Sequence, residues 1–137
     1  MINIVEEYGR NAGRIWETLY SHGPLTERRL MNTTGLKTHE FHAAIGWLAR
    51  ENKICKIDTV YQLGETNLNS QIGQNAGKIF SVLETMKEVD ISKIPNLTEM
   101  DQRDAYYALG WLARENKIEA MVPLPKEYQI KFKKDLI

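Results

Sequence analysis

The nine residues Gly46-Trp47-Leu48-Ala49-Arg50-Glu51-Asn52-Lys53-Ile54 return unchanged as Gly110 to Ile118, a shift of 64 positions. The same shift aligns Asn11-Ala12-Gly13-Arg14-Ile15-Trp16 with Asn75-Ala76-Gly77-Lys78-Ile79-Phe80. Laid without gaps, 9–54 and 73–118 agree at 18 of 46 positions. Further on, Tyr61-Gln62-Leu63 answers Tyr128-Gln129-Ile130 at a shift of 67, so the second copy carries three extra residues there. An offset held over so much of a chain is a tandem duplication. It divides the 137 residues into copy one (1–64), a polar linker (65–72) and copy two (73–137). Each copy is near the lower size limit for an independent core, so the two are expected to pack on one another.

Within copy one, Asn11 reads as the N-cap of a first helix whose inward residues are Ala12, Ile15, Trp16 and Leu19, ended by Gly23-Pro24. Thr26 caps a short second helix from Glu27 to about Thr33, with Leu30 inward, and Gly35 makes the turn. A third helix from about Thr38 to Asn52 buries Phe41, Ala44, Ile45 and Leu48. The alternating runs Lys53–Ile57 and Val60–Leu63, split by Asp58-Thr59, predict a β-hairpin. Copy two follows the same order, its third helix opening at Asp101 and burying Ala105, Ala108, Leu109 and Leu112. Pro95 replaces Met31, and a proline inside a helix costs about 3 kcal/mol, so helix two of copy two is expected to end before it.

Three helices and a two-stranded wing, given twice, make a mainly α (α+β) fold. The order resembles the winged helix-turn-helix superfamily. The segments N-A-G-[RK]-I-[WF] and A-[IL]-G-W-L-A-R-E-N-K-I resemble a bacterial family of small winged-helix domains, present here as two tandem copies. The resemblance implies DNA binding in transcriptional control, with the two copies standing in for a dimer. The alternative is a protein-interaction module that keeps the fold without DNA binding.

In this class the third helix commonly enters the major groove while the wing touches backbone or minor groove. The outward face of helix three is expected to carry His39, Ala43, Gly46 and Arg50, flanked by His42, in copy one. In copy two it carries Arg103, Tyr107, Gly110 and Arg114, flanked by Tyr106. Arg28, Arg29 and Lys37 beside copy one's third helix, and Lys53, Lys56, Lys117 and Lys126 in the wings, are the remaining candidate phosphate contacts. Over Thr26–Ala43, Arg28, Arg29 and Lys37 stand against Glu27 and Glu40, a sum of +1. Over Asp90–Tyr107, Lys93 and Arg103 stand against Asp90, Glu99, Asp101 and Asp104, a sum of −2, so copy one would lead any DNA contact.

Glycine inside a helix costs roughly 1 kcal/mol relative to alanine. Gly46 and Gly110 repeat that cost in helix three, and Gly13 and Gly77 in helix one, which predicts close approach by a backbone or a large ring. Trp47 and Trp111 are the rings at hand. Either each lies on helix one across the copies, or each covers helix one and the wing of its own copy.

Other chemistry finds little support. His39-Glu40-Phe41-His42 spaces its histidines by three, where the zinc-protease helix needs four, so no metal is expected. No phosphate loop or nucleophile elbow is present, so neither an enzyme nor a cofactor is expected, and no small-molecule ligand is evident. The adjacent pairs Arg50-Glu51 and Arg114-Glu115 read as solvated helix ends. Charges balance, 18 basic against 18 acidic, which argues against a general polyanion binder. The opening MINIVEEYGRNAG lacks an apolar leader core, no run reaches membrane-span length, and Cys55 is the only cysteine, so a reducing cytoplasm is expected.

Overall fold

Helix one starts a full two turns before Asn11. The computed structural model describes the backbone of residues 2–122 and 129–132 and the side chains of 3–120 and Ile130. In it, strand β1 (Ile2–Asn3) runs directly into helix α1 (Ile4–His22). Asn3 is the N-cap, its side chain accepting from the amides of Val5 and Glu6, while Asn11 lies buried in mid-helix. The apolar spacing continues backwards through Ile4 and Tyr8, both buried, so the N-cap expected at Asn11 is displaced to Asn3.

A short strand β2 (Leu25–Thr26) follows, then α2 (Glu27–Thr34), capped by Thr26 and closed by Gly35 in the left-handed region. Next come α3 (Thr38–Arg50) and the wing strands β3 (Ile54–Ile57) and β4 (Val60–Leu63). Leu25 and Thr26 pair with Tyr61 and Val60, so the wing is a three-stranded sheet in the order β2-β4-β3 rather than a bare hairpin. Two residues of strand beside a proline carry too little alternation to be legible in sequence.

Copy two repeats the plan. Helix α4 (Asn69–Met86) starts inside the stretch expected as linker and leads to β5 (Glu88–Asp90). A 3-10 turn (Ile91–Lys93) and α5 (Ile94–Thr98) replace helix two. Pro95 does not end that helix, as expected from sequence, but sits in its first turn, where the missing N–H leaves no bond unmade. Helix α6 (Gln102–Arg114) is capped by Asp101, whose carboxylate accepts from the Asp104 amide at 2.8 Å. Strands β6 (Ile118–Val122) and β7 (Gln129–Phe132) complete a sheet in the order β1-β6-β7-β5.

Glu99 closes α5 at φ 54°, the place that Gly35 holds in copy one. A side chain in that region costs roughly 1 kcal/mol. Glu99→Gly is therefore expected to raise unfolding stability by about 1 kcal/mol in chemical denaturation, less the glycine's larger unfolded-state entropy.

The copies are interlocked in matching ways. Core one gathers Ile15, Leu19, Leu30, Phe41, Ile45, Leu48, Ile54 and Tyr61, and takes in Ile72 and Tyr107 from copy two. Core two gathers Ile79, Leu83, Ile94, Leu109, Leu112, Ile118 and Ile130, and takes in Tyr8 and Ala43 from copy one. Tyr8 and Ile72 are equivalent by the 64-residue shift, as are Ala43 and Tyr107. The leaders exchange too: β1 pairs with β6 of copy two, Ile2 opposite Val122 and Asn3 opposite Met121. The equivalent Asn67 lies on β3 of copy one, its carboxamide bonding the Lys56 amide and carbonyl at 2.9 and 2.6 Å. A pseudo-two-fold axis thus relates the halves of one chain.

Candidate functional site

The axis passes between α3 and α6. A methyl group built on Gly46 would stand 2.7 Å from the Tyr107 carbonyl carbon and closer still to its oxygen. One built on Gly110 would meet the Ala43 carbonyl in the same way. The two third helices therefore cross backbone to backbone, which only residues without a Cβ permit. The expectation of close approach holds at Gly46 and Gly110. It fails at Gly13 and Gly77, where an added methyl would meet nothing within 4 Å.

This crossing corrects the outward face read from the sequence. Ala43, Gly46, Tyr107 and Gly110 are buried, and so is His42, at 5% exposure. The helical wheel placed these residues correctly opposite the core of their own copy, but that side is covered by the other copy. His39 and Tyr106 flank the crossing, half-buried, their rings 5.4 Å apart.

The unchanged nine-residue segment supplies the rest of the contact. Trp47 lies on Gly9 of its own α1, where a methyl would be 2.9 Å from the indole. Trp111 lies against Gly73 of α4, where a methyl would stand 3.6 Å from the indole, in ordinary contact. So each ring covers helix one within its copy, on a glycine one turn before the one expected. Over the outer side of each ring comes a guanidinium from the other copy, Arg114 on Trp47 at 5.8 Å and Arg50 on Trp111 at 5.6 Å. The arginines then reach across: Arg50 Nε to Glu115 at 3.1 Å and Arg114 Nε to Glu51 at 3.0 Å. The pairs expected between neighbours in sequence are instead exchanged between copies. Lys53 and Lys117 close on Glu51 and Glu115 at 3.7 and 3.5 Å. These exposed bridges contribute on the order of 0.5 kcal/mol each; they set register more than stability. Asn52 and Asn116, at φ 60°, turn the chain out of both helices.

One polar cluster breaks the symmetry. Tyr107 enters copy one, where its hydroxyl lies 2.6 Å from that of Tyr61. His42 Nε2 is 3.1 Å from Glu27 Oε1, and the Tyr61 hydroxyl donates to the same oxygen at 3.5 Å. Burial lowers the His42 pKa, opposed by Glu27; burial also raises both tyrosine hydroxyls. A histidine whose folded pKa lies below its unfolded value adds stability that is complete above about pH 6.5 and is lost as pH falls. Glu27 faces it from copy one, and Tyr107, Arg103 and Asp104 of α6, with that helix's cap Asp101, face it from copy two. Glu7 and Asp104, both raised chiefly by burial, act with the opposite sign nearer pH 4–5. The melting temperature is expected to fall between pH 7.5 and 5.5, and to do so less in His42→Gln.

Among the other candidates, Arg28, Arg29, Lys37 and Arg103 are exposed. Lys53 and Lys117 are committed to Glu51 and Glu115, and Lys56 lies over the Tyr61 ring at 5.5 Å. Lys126 is outside the described residues. Sequence reasoning missed Gly9, Tyr61, Glu27 and Tyr107 as interface residues. The repeat carried a signal for Gly9, which recurs as Gly73, but none for Glu27 and Tyr107, which differ between copies. At Tyr61 the match to Tyr128 is corrected by the sheet registers: Tyr61 pairs with Leu25 as Ile130 pairs with Val89, so the equivalent of Tyr61 is Ile130, at a shift of 69. Among the described residues no helix is long and apolar enough to cross a membrane.

A family described as a winged helix-turn-helix domain (DUF2582) matches residues 5–62 and again 67–131. Neither a curated protein nor a solved structure matches the chain.

Proposed function

We propose that this chain, which belongs to the winged helix-turn-helix domain family across both of its repeats, is a regulatory module that meets a protein partner as one fixed pair of winged helices. The observation that carries this is the crossing at Gly46 and Gly110, which leaves the middle of neither third helix open to a base edge. Groove reading requires side chains from that face to reach donors and acceptors on the bases. The acidic start of α6 and the neutral charge balance support the same reading. A single buried cysteine fits a reducing cytoplasm.

A second reading is favoured by Arg28, Arg29, Lys37 and Arg103, all exposed. Glu27, the neighbour of Arg28, bonds His42, which also feels the Arg103 charge, so Arg28 and Arg103 lie near one polar cluster. Such a patch could touch phosphates without reading sequence. Fluorescence anisotropy with random duplex DNA at about 50 and about 200 mM salt separates the two. The protein-partner reading predicts no binding at the lower salt. Binding that collapses with salt and disappears in Arg28→Glu with Arg29→Glu would establish the second reading instead.

A further inference from the structure

Copy two leaves a cleft of about 260 Å³ between its 3-10 turn, α5 and α6. Its floor is Ile91, Pro95, Ala105 and Leu109, and its rim is Ser92, Gln102 and Tyr106. The 64-residue shift says what copy one keeps at these places. Ala105 answers Phe41, which is fully buried with its ring edge-on to Tyr61. Pro95 answers Met31, and Ile91 answers Glu27. A six-membered ring and a long thioether chain have thus been replaced by a methyl and a proline, and a carboxylate by an aliphatic side chain. All three changes make the place emptier or less polar.

We propose that this cleft binds a small uncharged aromatic molecule, of phenol to indole size, in the place the Phe41 ring takes in copy one. Among the described residues no Lys, Arg, Asp or Glu lines the cleft, so that lining offers a buried charge no partner. An apolar space of this kind, with a few polar groups at its edge, is the usual setting for such ligands. At the rim, Gln102 is exposed and brings both a donor and an acceptor. The Ser92 hydroxyl donates to Asp90 at 2.8 Å and keeps its lone pairs for a ligand donor. The wall residue Tyr106 lies against His39 of copy one, so an occupant presses on a residue that flanks the helix crossing. Occupancy is therefore linked to the pairing of the two repeats.

The full chain, titrated with indole and with phenol, tests this by methyl NMR and by thermal melting. The Ile91, Ala105 and Leu109 methyl signals are expected to move together with one dissociation constant. Probe at about ten times that constant should raise the melting temperature by about 5 °C. Ala105→Phe restores the ring of copy one and should weaken binding at least tenfold. Should that variant fail to fold, Ala105→Leu, a smaller filling, must still weaken binding. No movement of the methyls of these three residues, movement only elsewhere (the Trp16–Tyr20 stack, for instance), or equal binding by wild type and the filled variant would each overturn the assignment.

Discussion

Gly46→Ala is expected to destabilise the chain by about 3 kcal/mol, near the upper end of what overpacking costs. In an exposed helix the same change stabilises by roughly 1 kcal/mol, because alanine loses less backbone freedom on folding. The sign therefore reports the environment. At Gly46 the new methyl meets a carbonyl of Tyr107, and a peptide group cannot swing aside as a side chain can. The helices must separate, and Trp47, Trp111 and the exchanged arginine pairs separate with them. Gly110→Ala should behave alike, because its methyl meets the Ala43 carbonyl. Gly13→Ala and Gly77→Ala are the controls, expected to stabilise by about 1 kcal/mol each since nothing lies within 4 Å. Urea denaturation of the four variants reads all four signs at once.

The second large effect belongs to Tyr107→Ala, expected to cost roughly 3–5 kcal/mol. Tyr107 is a copy-two residue that completes the core of copy one, so its loss opens a cavity beside Tyr61 and His42. Tyr107→Phe keeps the ring and loses only the hydroxyl contact, at a cost of about 1–2 kcal/mol. The difference between the two variants separates packing from hydrogen bonding. Ala43, its equivalent, has no side chain to enter copy two as deeply, so the cluster is one-sided.

The fold was legible because duplication doubles every local signal. Each apolar stripe could be checked against a partner 64 residues away. Elements without that support were lost. Strands β2 and β5 are too short for alternation, β1 is made by the leader, and Pro95 was read as ending a helix it in fact begins. The glycines and tryptophans of the repeated segment announced an interface. What no single-copy wheel can show is what covers a helix on its far side, because that is decided by the other copy. His42 and Ala43 read as outward for that reason and are buried for the same reason. The strict identity of Gly46–Ile54 and Gly110–Ile118 now has a physical account. Across a two-fold axis each residue meets the other copy's version of the same segment, so Arg50 needs Glu115 just as Arg114 needs Glu51.

The central claim is that the third helices are paired with one another in solution. Nuclear Overhauser contacts between the α protons of α3 and α6 measure this directly. The account predicts strong contacts from Gly46 to Tyr107 and from Gly110 to Ala43, present together and unchanged on adding duplex DNA. Absence of both, with the contacts inside each repeat intact, would show two winged helices whose reading faces are open, and would contradict it.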